Sequence, residues 1–164
     1  MSRSIVVMGV SGAGKSEVGA ALAERLGTKF TDADSLHPQA NVAKMSAGVP
    51  LTDEDRWPWL KLVGEELASA DTDGIVVACS ALKRIYRDAI RAAAPATEFI
   101  HLDVDLPALQ TRVTSRAGHF MPSSLLASQL ETLEPLASDE PGLRVTPLPG
   151  VDVTADRIVA RLSD

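Results

Sequence analysis

The sequence predicts an α/β protein of three layers, a parallel sheet covered on both faces by helices. Three observations lead there. Short apolar runs alternate with longer amphipathic segments along the chain. The first long segment carries Val18, Leu22 and Leu26 four apart, the spacing of one helical face. A glycine-rich stretch joins the first apolar run to that segment.

Taken in order, Ser4 to Met8 reads as a buried strand and Lys15 to Leu26 as the helix after it, with Gly27 placed to end it. A second strand ends near Phe30 to Asp32. Pro38 opens a short helix through Lys44 and Met45, because its missing N–H costs nothing in a first turn. Another helix is expected from Asp53 to about Ala70, with Pro58 near its start and Thr52 or Asp53 as its cap. Gly74 to Ala78 is a third strand, Leu82 to Ala94 a charged helix, and Glu98 to Leu102 a fourth strand. Leu106 to Arg116 and Ser123 to Leu133 read as helices on either side of a Gly118-His119-Phe120-Met121-Pro122 loop. Leu143 to Thr146 is the last strand and Thr154 to Leu162 the closing helix; three prolines between Pro141 and Gly150 mark a loop. In such sheets ligands sit beyond the carboxyl ends of the strands, so the residues that follow each strand are the ones to examine.

Length and charge narrow the function. A chain of 164 residues suits one compact domain. Its 16 Lys+Arg against 22 Asp+Glu, a net charge of −6, disfavour a general grip on nucleic acid or a polybasic membrane anchor. The single cysteine, Cys79, excludes an internal disulfide and any cysteine-rich zinc site, and its apolar surroundings read as core rather than as a catalytic thiol. The apolar run after Arg3 is too short for a signal peptide, and no run is long enough to span a bilayer. A cytoplasmic enzyme or binding module is the expectation.

Gly9-Val10-Ser11-Gly12-Ala13-Gly14-Lys15-Ser16 matches G-x-x-x-x-G-K-[ST] at every fixed position and stands between a strand and a helix, as that motif requires. Glycines let the backbone curl so that successive N–H groups point at phosphate oxygens, and the helix N-terminus adds its positive dipole. Lys15 reaches the β- and γ-phosphates and the Ser16 hydroxyl can bind Mg²⁺. The ligand is a nucleoside triphosphate. No base-reading Asn-Lys-x-Asp segment is present, which argues against a GTPase switch and leaves a small phosphotransferase.

The acceptor side follows the later strands. In an extended chain Asp32 and Asp34 share a face, and a carboxylate there can accept a proton from an attacking hydroxyl or hold water on Mg²⁺; helix capping would use the same residue types. Arg56, beside two tryptophans in the opening turn of that helix, suits the carboxylate of a small substrate, and a surface ion pair would place an arginine there equally well. Lys83 and Arg84 stand at the carboxyl end of the third strand, Arg84 four residues from Asp88 as a possible partner, while Arg87 and Arg91 continue a basic stripe that solvation alone would explain. Arg112 and Arg116 lead into the glycine-containing loop, in the manner of a mobile lid over a triphosphate. The three histidines have no close ligand pairing, so zinc is not expected.

Several of these blocks together resemble the gluconokinases among small P-loop carbohydrate kinases. They are Met8 to Ser16; Asp34-x-Leu36-His37-Pro38 with Asn41 and Lys44-Met45; Gly48-x-Pro50-Leu51-Thr52-Asp53-x-Asp55-Arg56-x-Pro58-Trp59-Leu60; Cys79-Ser80-Ala81-Leu82-Lys83-Arg84-x-Tyr86-Arg87-Asp88; and His119-Phe120-Met121-Pro122 with Ser128-Gln129 and Leu133-Glu134. The resemblance implies a nucleoside-monophosphate-kinase-like fold, one P-loop domain over 1–164 with a five-stranded parallel sheet and a helical lid at about 112–135. It implies ATP- and Mg²⁺-dependent phosphorylation of D-gluconate at its 6-hydroxyl, in the D-gluconate catabolism that feeds the pentose phosphate pathway. By the same resemblance Asp34 is the base or orienting carboxylate, His37, Arg56, Lys83, Arg84 and Gln129 contact gluconate, Arg112 and Arg116 face the nucleotide, and the chain forms a homodimer. Glu17 departs from the small or hydroxylated residue usual after the Lys-Ser pair; it either weakens nucleotide affinity or turns outward. Two rivals remain. A shikimate kinase would carry a double- or triple-glycine turn after the third strand, which is missing; a non-catalytic nucleotide-binding regulator would have a damaged acceptor side, yet Asp34, Lys83 and Arg84 are present.

Overall fold

The computed structural model describes residues 3–70, 73–104 and 123–163. Five strands, β1 (Ser4–Met8), β2 (Lys29–Asp32), β3 (Ile75–Ala78), β4 (Thr97–Leu102) and β5 (Gly142–Val145), form one sheet in the order β2-β3-β1-β4-β5, every neighbouring pair parallel. Among the described residues six α-helices accompany them: α1 (Lys15–Leu26), α2 (Gln39–Ser46), α3 (Asp53–Ala68), α4 (Arg84–Ala93), α5 (Ser123–Thr132) and α6 (Val151–Leu162). The strand–helix alternation read from the sequence is thus the observed one, with ends shifted by a few residues. The helix expected from Leu106 to Arg116, the loop around His119, and both Arg112 and Arg116 lie outside the described residues.

Topology follows from handedness. The crossover from β1 through α1 to β2 runs towards one edge of the sheet, whereas those through α3 and α4 run the other way, so right-handed connections put α1 on one face and α3 with α4 on the opposite face. Accordingly α1 packs on α6, and α3 on α4. The central strand has Ile5, Val6, Val7 and Met8 fully buried, as a strand covered on both faces must. No helix among the described residues is long and apolar enough to cross a membrane.

Local chemistry sets the element ends. Gly27, in the left-handed conformation (φ 68°), closes α1 by donating its N–H back to the last turn. Thr52 caps α3 through a reciprocal pair: its hydroxyl accepts from the Asp55 N–H at 3.1 Å, and the Asp55 carboxylate accepts from the Thr52 N–H at 2.9 Å. The closing helix begins at Val151, three residues before the expected Thr154. Thr154 instead ties down the preceding loop, its hydroxyl taking the Leu148 N–H at 3.0 Å.

Two basic residues of α4 differ from their sequence reading. Arg87 is neither solvated nor part of a surface stripe: it is fully buried, with a two-pronged contact to Glu140 at 2.7 and 2.9 Å and a bond to the Ala81 carbonyl at 2.9 Å. That last bond holds Ala81 at φ 42°, the one non-glycine residue with positive φ among those described. Arg84 pairs with Asp139, again through two prongs at 2.7 and 2.9 Å, rather than with Asp88. Burial opposes the charge on Glu140, but the hydrogen bonds from Arg87 and the Ala137 N–H outweigh it and hold the carboxyl below its ordinary value. Arg87→Leu would leave that carboxylate buried without a counter-charge, at an expected cost of about 3–5 kcal/mol in urea unfolding. A loss below about 1 kcal/mol, the range of an exposed pair, would show the contact to be dispensable.

Candidate active site

The phosphate loop leaves β1 at Gly9 and enters α1 at Lys15. Gly14 stands at φ 95° as the residue before the helix, a conformation that exposes the first N–H groups of α1 and that side chains strain. At Gly9 a Cβ would lie 2.9 Å from the Leu102 carbonyl, so glycine is needed where the loop passes the end of β4. Lys15 Nζ donates to the Val10 carbonyl at 3.1 Å, across the loop. Ser16 donates its hydroxyl to the Asp32 carboxylate at 2.6 Å. Glu17 is exposed on the first turn of α1.

Asp32 and Asp34 do not share a face as an extended chain would have it. The strand stops at Asp32, and its carboxylate accepts the Asp34 N–H at 3.0 Å, winding Ala33–Leu36 into a single 3-10 turn. Asp34 is thereby swung out, its side chain 82% exposed, into a cleft of about 460 Å³. The protein around the open cleft displaces part of the water that would solvate its charge, and this, followed by Asp32 beside it, pushes the Asp34 carboxyl above its ordinary value, while Lys15 opposes them.

Ser11, Lys15, Asp34, His37, Arg56 and Gln129 all line this cleft, so loop and acceptor residues face one another across it. Gln129, on α5, accepts the Ser11 N–H at 2.7 Å and so ties that helix to the phosphate loop. Arg56 is held by the Tyr86 hydroxyl at 2.9 Å, and Tyr86 in turn donates to Asp53. Burial, followed by that bond to Asp53, raises the Tyr86 hydroxyl to about 12. Two expected contacts are not brought to the cleft. Lys83 lies 3.6 Å from Asp53 and above the Tyr86 ring, and Arg84 is engaged with Asp139. Cys79 is buried, which pushes its thiol up to about 12, so it is no nucleophile.

The residues that shape the acceptor side were only partly legible. Trp59 donates its indole N–H to the Ala33 carbonyl at 2.8 Å and stacks on His37 with centroids 4.0 Å apart, forming a rigid floor beside Asp34. Its signal was the Arg56-Trp57-Pro58-Trp59 block, which shows that a tryptophan is present without saying what it touches. Burial, and then the charge of Arg56, lower the His37 ring to about 4, so it is neutral at pH 7. Because the folded state binds that proton less well than an unfolded chain would, His37 contributes stability in full above about pH 6.5. The contribution drains away as pH falls towards 4, by an amount on the order of 2–3 kcal/mol. Urea unfolding at pH 7 and pH 4.5 is expected to show a larger acid loss in the native protein than in His37→Gln. Equal losses would clear His37 of that effect.

A loop made to hold a triphosphate, opposite a carboxylate across a cleft of small-molecule size, makes this a P-loop kinase. Relatives narrow the class. The shikimate kinase family model matches residues 11–135. A gluconokinase of Gluconobacter oxydans is 49% identical over 159 residues, covering 96% of this chain and 89% of the relative. The crystal structure of a gluconokinase from Sinorhizobium meliloti aligns with a TM-score of 0.91 at 49% identity, over 98% of this chain and 91% of that one. A shikimate kinase from Acinetobacter baumannii, solved with shikimate, has a TM-score of 0.62 at 17% identity and shares the fold alone. The chain belongs to the gluconokinase family and is an ATP-dependent kinase.

Proposed function

We propose that the enzyme transfers the γ-phosphoryl group of ATP to the 6-hydroxyl of D-gluconate, giving 6-phospho-D-gluconate and ADP. The observation that carries this reading is the cleft in which Ser11 and Lys15 face Asp34, His37 and Arg56. The phosphate loop takes ATP through Gly9, Val10, Ser11, Gly12, Ala13, Gly14, Lys15 and Ser16. Asp34 accepts or orients the attacking hydroxyl, and Arg56, His37 and Gln129 hold the acid. By family resemblance Lys83 and Arg84 contact the acid as well, and here they pair with Asp53 and Asp139. Arg112 and Arg116, in a lid at about 112–135, would face the nucleotide.

Mg²⁺ fits the residues present. A hydroxyl and a carboxylate, Ser16 and Asp32, already touch at the loop, and this ion takes one or two such oxygens together with phosphate oxygens and water. Bound there, it would neutralise charge on the transferring phosphoryl group. A cytoplasmic location, supported by the single buried thiol, and a homodimer, supported by family resemblance, complete the reading.

The test is ADP release, coupled to a spectrophotometric readout, across a panel of sugar acids with shikimate included. Turnover with gluconate above all others is expected; turnover with another acid and none with gluconate would overturn the substrate assignment.

A further inference from the structure

Asn41 is a buried polar residue on α2, 3% exposed, and the phosphoryl-transfer reading gives it no task. Its amide nitrogen donates to the Asp55 backbone carbonyl at 2.9 Å. A carbonyl can only accept, so that contact fixes which end of the Asn41 side chain is the NH₂ group. The same nitrogen lies 3.2 Å from His37 Nδ1. With its second hydrogen aimed there, Nδ1 must be the bare, accepting nitrogen of the ring, and the ring proton belongs on Nε2.

The plane of the ring is set independently. Trp59 stacks on it at an interplanar angle of 16°, and Trp59 is itself pinned to the Ala33 carbonyl. Asp55, whose carbonyl orients Asn41, is locked in turn: its carboxylate takes Lys44 Nζ at 2.7 Å and the Thr52 N–H at 2.9 Å. Trp59 therefore specifies the ring face of His37, and Asn41 specifies its Nδ1 edge and with it the tautomer. Its remaining polar atom, Nε2, lies 4.0 Å from Asp34 Oδ1, beyond the length of a hydrogen bond between them. A donor and an acceptor at that separation, on the wall of the acceptor cleft, are spaced to engage two oxygens of one polyhydroxy molecule rather than each other.

We propose that Asn41 is a positioning residue which holds His37 as the neutral Nε2–H tautomer, so that His37 donates a hydrogen bond to an oxygen of the acceptor beside the hydroxyl that Asp34 engages. The substrate class it selects is a polyhydroxylated acid with an oxygen near the reacting hydroxyl. This rests on the assignment of the cleft to the acceptor. An Nε2 acceptor, the other neutral tautomer, would meet a hydroxylated substrate from the same place with the opposite hydrogen-bonding sense.

Long-range ¹H–¹⁵N NMR of the imidazole rings at pH 7, in the ligand-free native protein, reads the tautomer without any turnover; His37→Gln identifies the resonance. The expected spectrum has His37 protonated on Nε2 and bare at Nδ1. A ring protonated on Nδ1, or on both nitrogens, would overturn the proposal even if gluconate is the substrate. Conversely, the expected spectrum in an enzyme that fails to phosphorylate gluconate would sink the substrate assignment and leave this one standing. Asn41→Asp replaces the donor by an acceptor and should move the proton to Nδ1, raising KM for the acid roughly 10-fold or more, with KM for ATP within about twofold. Equal rises in both KM values would reduce Asn41 to a structural role. If Asn41→Asp does not fold, Asn41→Gln and the native spectrum keep the question decidable.

Discussion

Lys15→Ala is expected to lower kcat by roughly 10³-fold or more while the protein still melts within a few degrees of its native temperature. The rate loss follows from where charge goes. As the γ-phosphoryl group leaves ADP its oxygens and the departing bridge oxygen carry the developing charge, and a fixed cation there needs no reorganisation at the moment of transfer. Losing one neutral donor from such a site costs about 10²–10³, so a full ammonium should stand at or above that range. Stability is largely spared because the shape of the loop is set by backbone, at Gly14, Gly9 and the end of β4, while Lys15 donates to the Val10 carbonyl across it. A second signature separates charge from shape. Lys15 lowers the Asp34 carboxyl, so its removal should shift the acid limb of any residual activity to higher pH. Turnover near the native rate would remove Lys15 from the transfer step.

Asp34→Asn is expected to cost about 10²–10⁴ in kcat with little change in ATP affinity. The amide keeps the shape of the carboxylate and can orient a hydroxyl, but it cannot accept its proton. Folding should be indifferent, because the turn around Asp34 is held through its backbone: its N–H is taken by Asp32 and its carbonyl by the His37 N–H. The same carboxylate makes the native enzyme pH-sensitive. The surrounding protein and Asp32 raise its titration above the ordinary value, so activity should fail on the acid side earlier than for an ordinary aspartate. A near-normal kcat in Asp34→Asn would leave Asp34 as an orienting residue only.

What could be read from the sequence divides by distance along the chain. The phosphate loop is local: eight consecutive residues, a strand before and a helix after. The strand ends, the α1 face and the Thr52 cap are local too. Arg87 could not be placed, because what makes it a core residue is Glu140, more than fifty positions later, and one turn of helix around it looks like any basic surface. The partner of Arg84 was hidden for the same reason, Asp139 being equally remote. The Asp32–Asp34 pair failed differently. Alternation assumes an extended chain, and the Asp32 side chain itself ends the strand by capping the next turn. His37 and Trp59 stand in recognisable blocks, yet their stacking is a contact between the residues after β2 and a helix that starts only at Asp53.

The place of β1 in the sheet bears on how the enzyme comes into being. Of the five strands it is made before the others and is the central one, and both its neighbours come late: Ser4 pairs with Ile75 on one side and Thr97 on the other. During synthesis at about 5–20 residues per second, its wholly apolar Ile5–Met8 must therefore wait on the order of 4–14 s for a first partner. Contacts of such separation make folding slow, and an unpaired apolar strand in the meantime is a template for association with other nascent chains. The phosphate loop is thus made before the strands that flank β1, and acquires the walls that let it grip a nucleotide only after them.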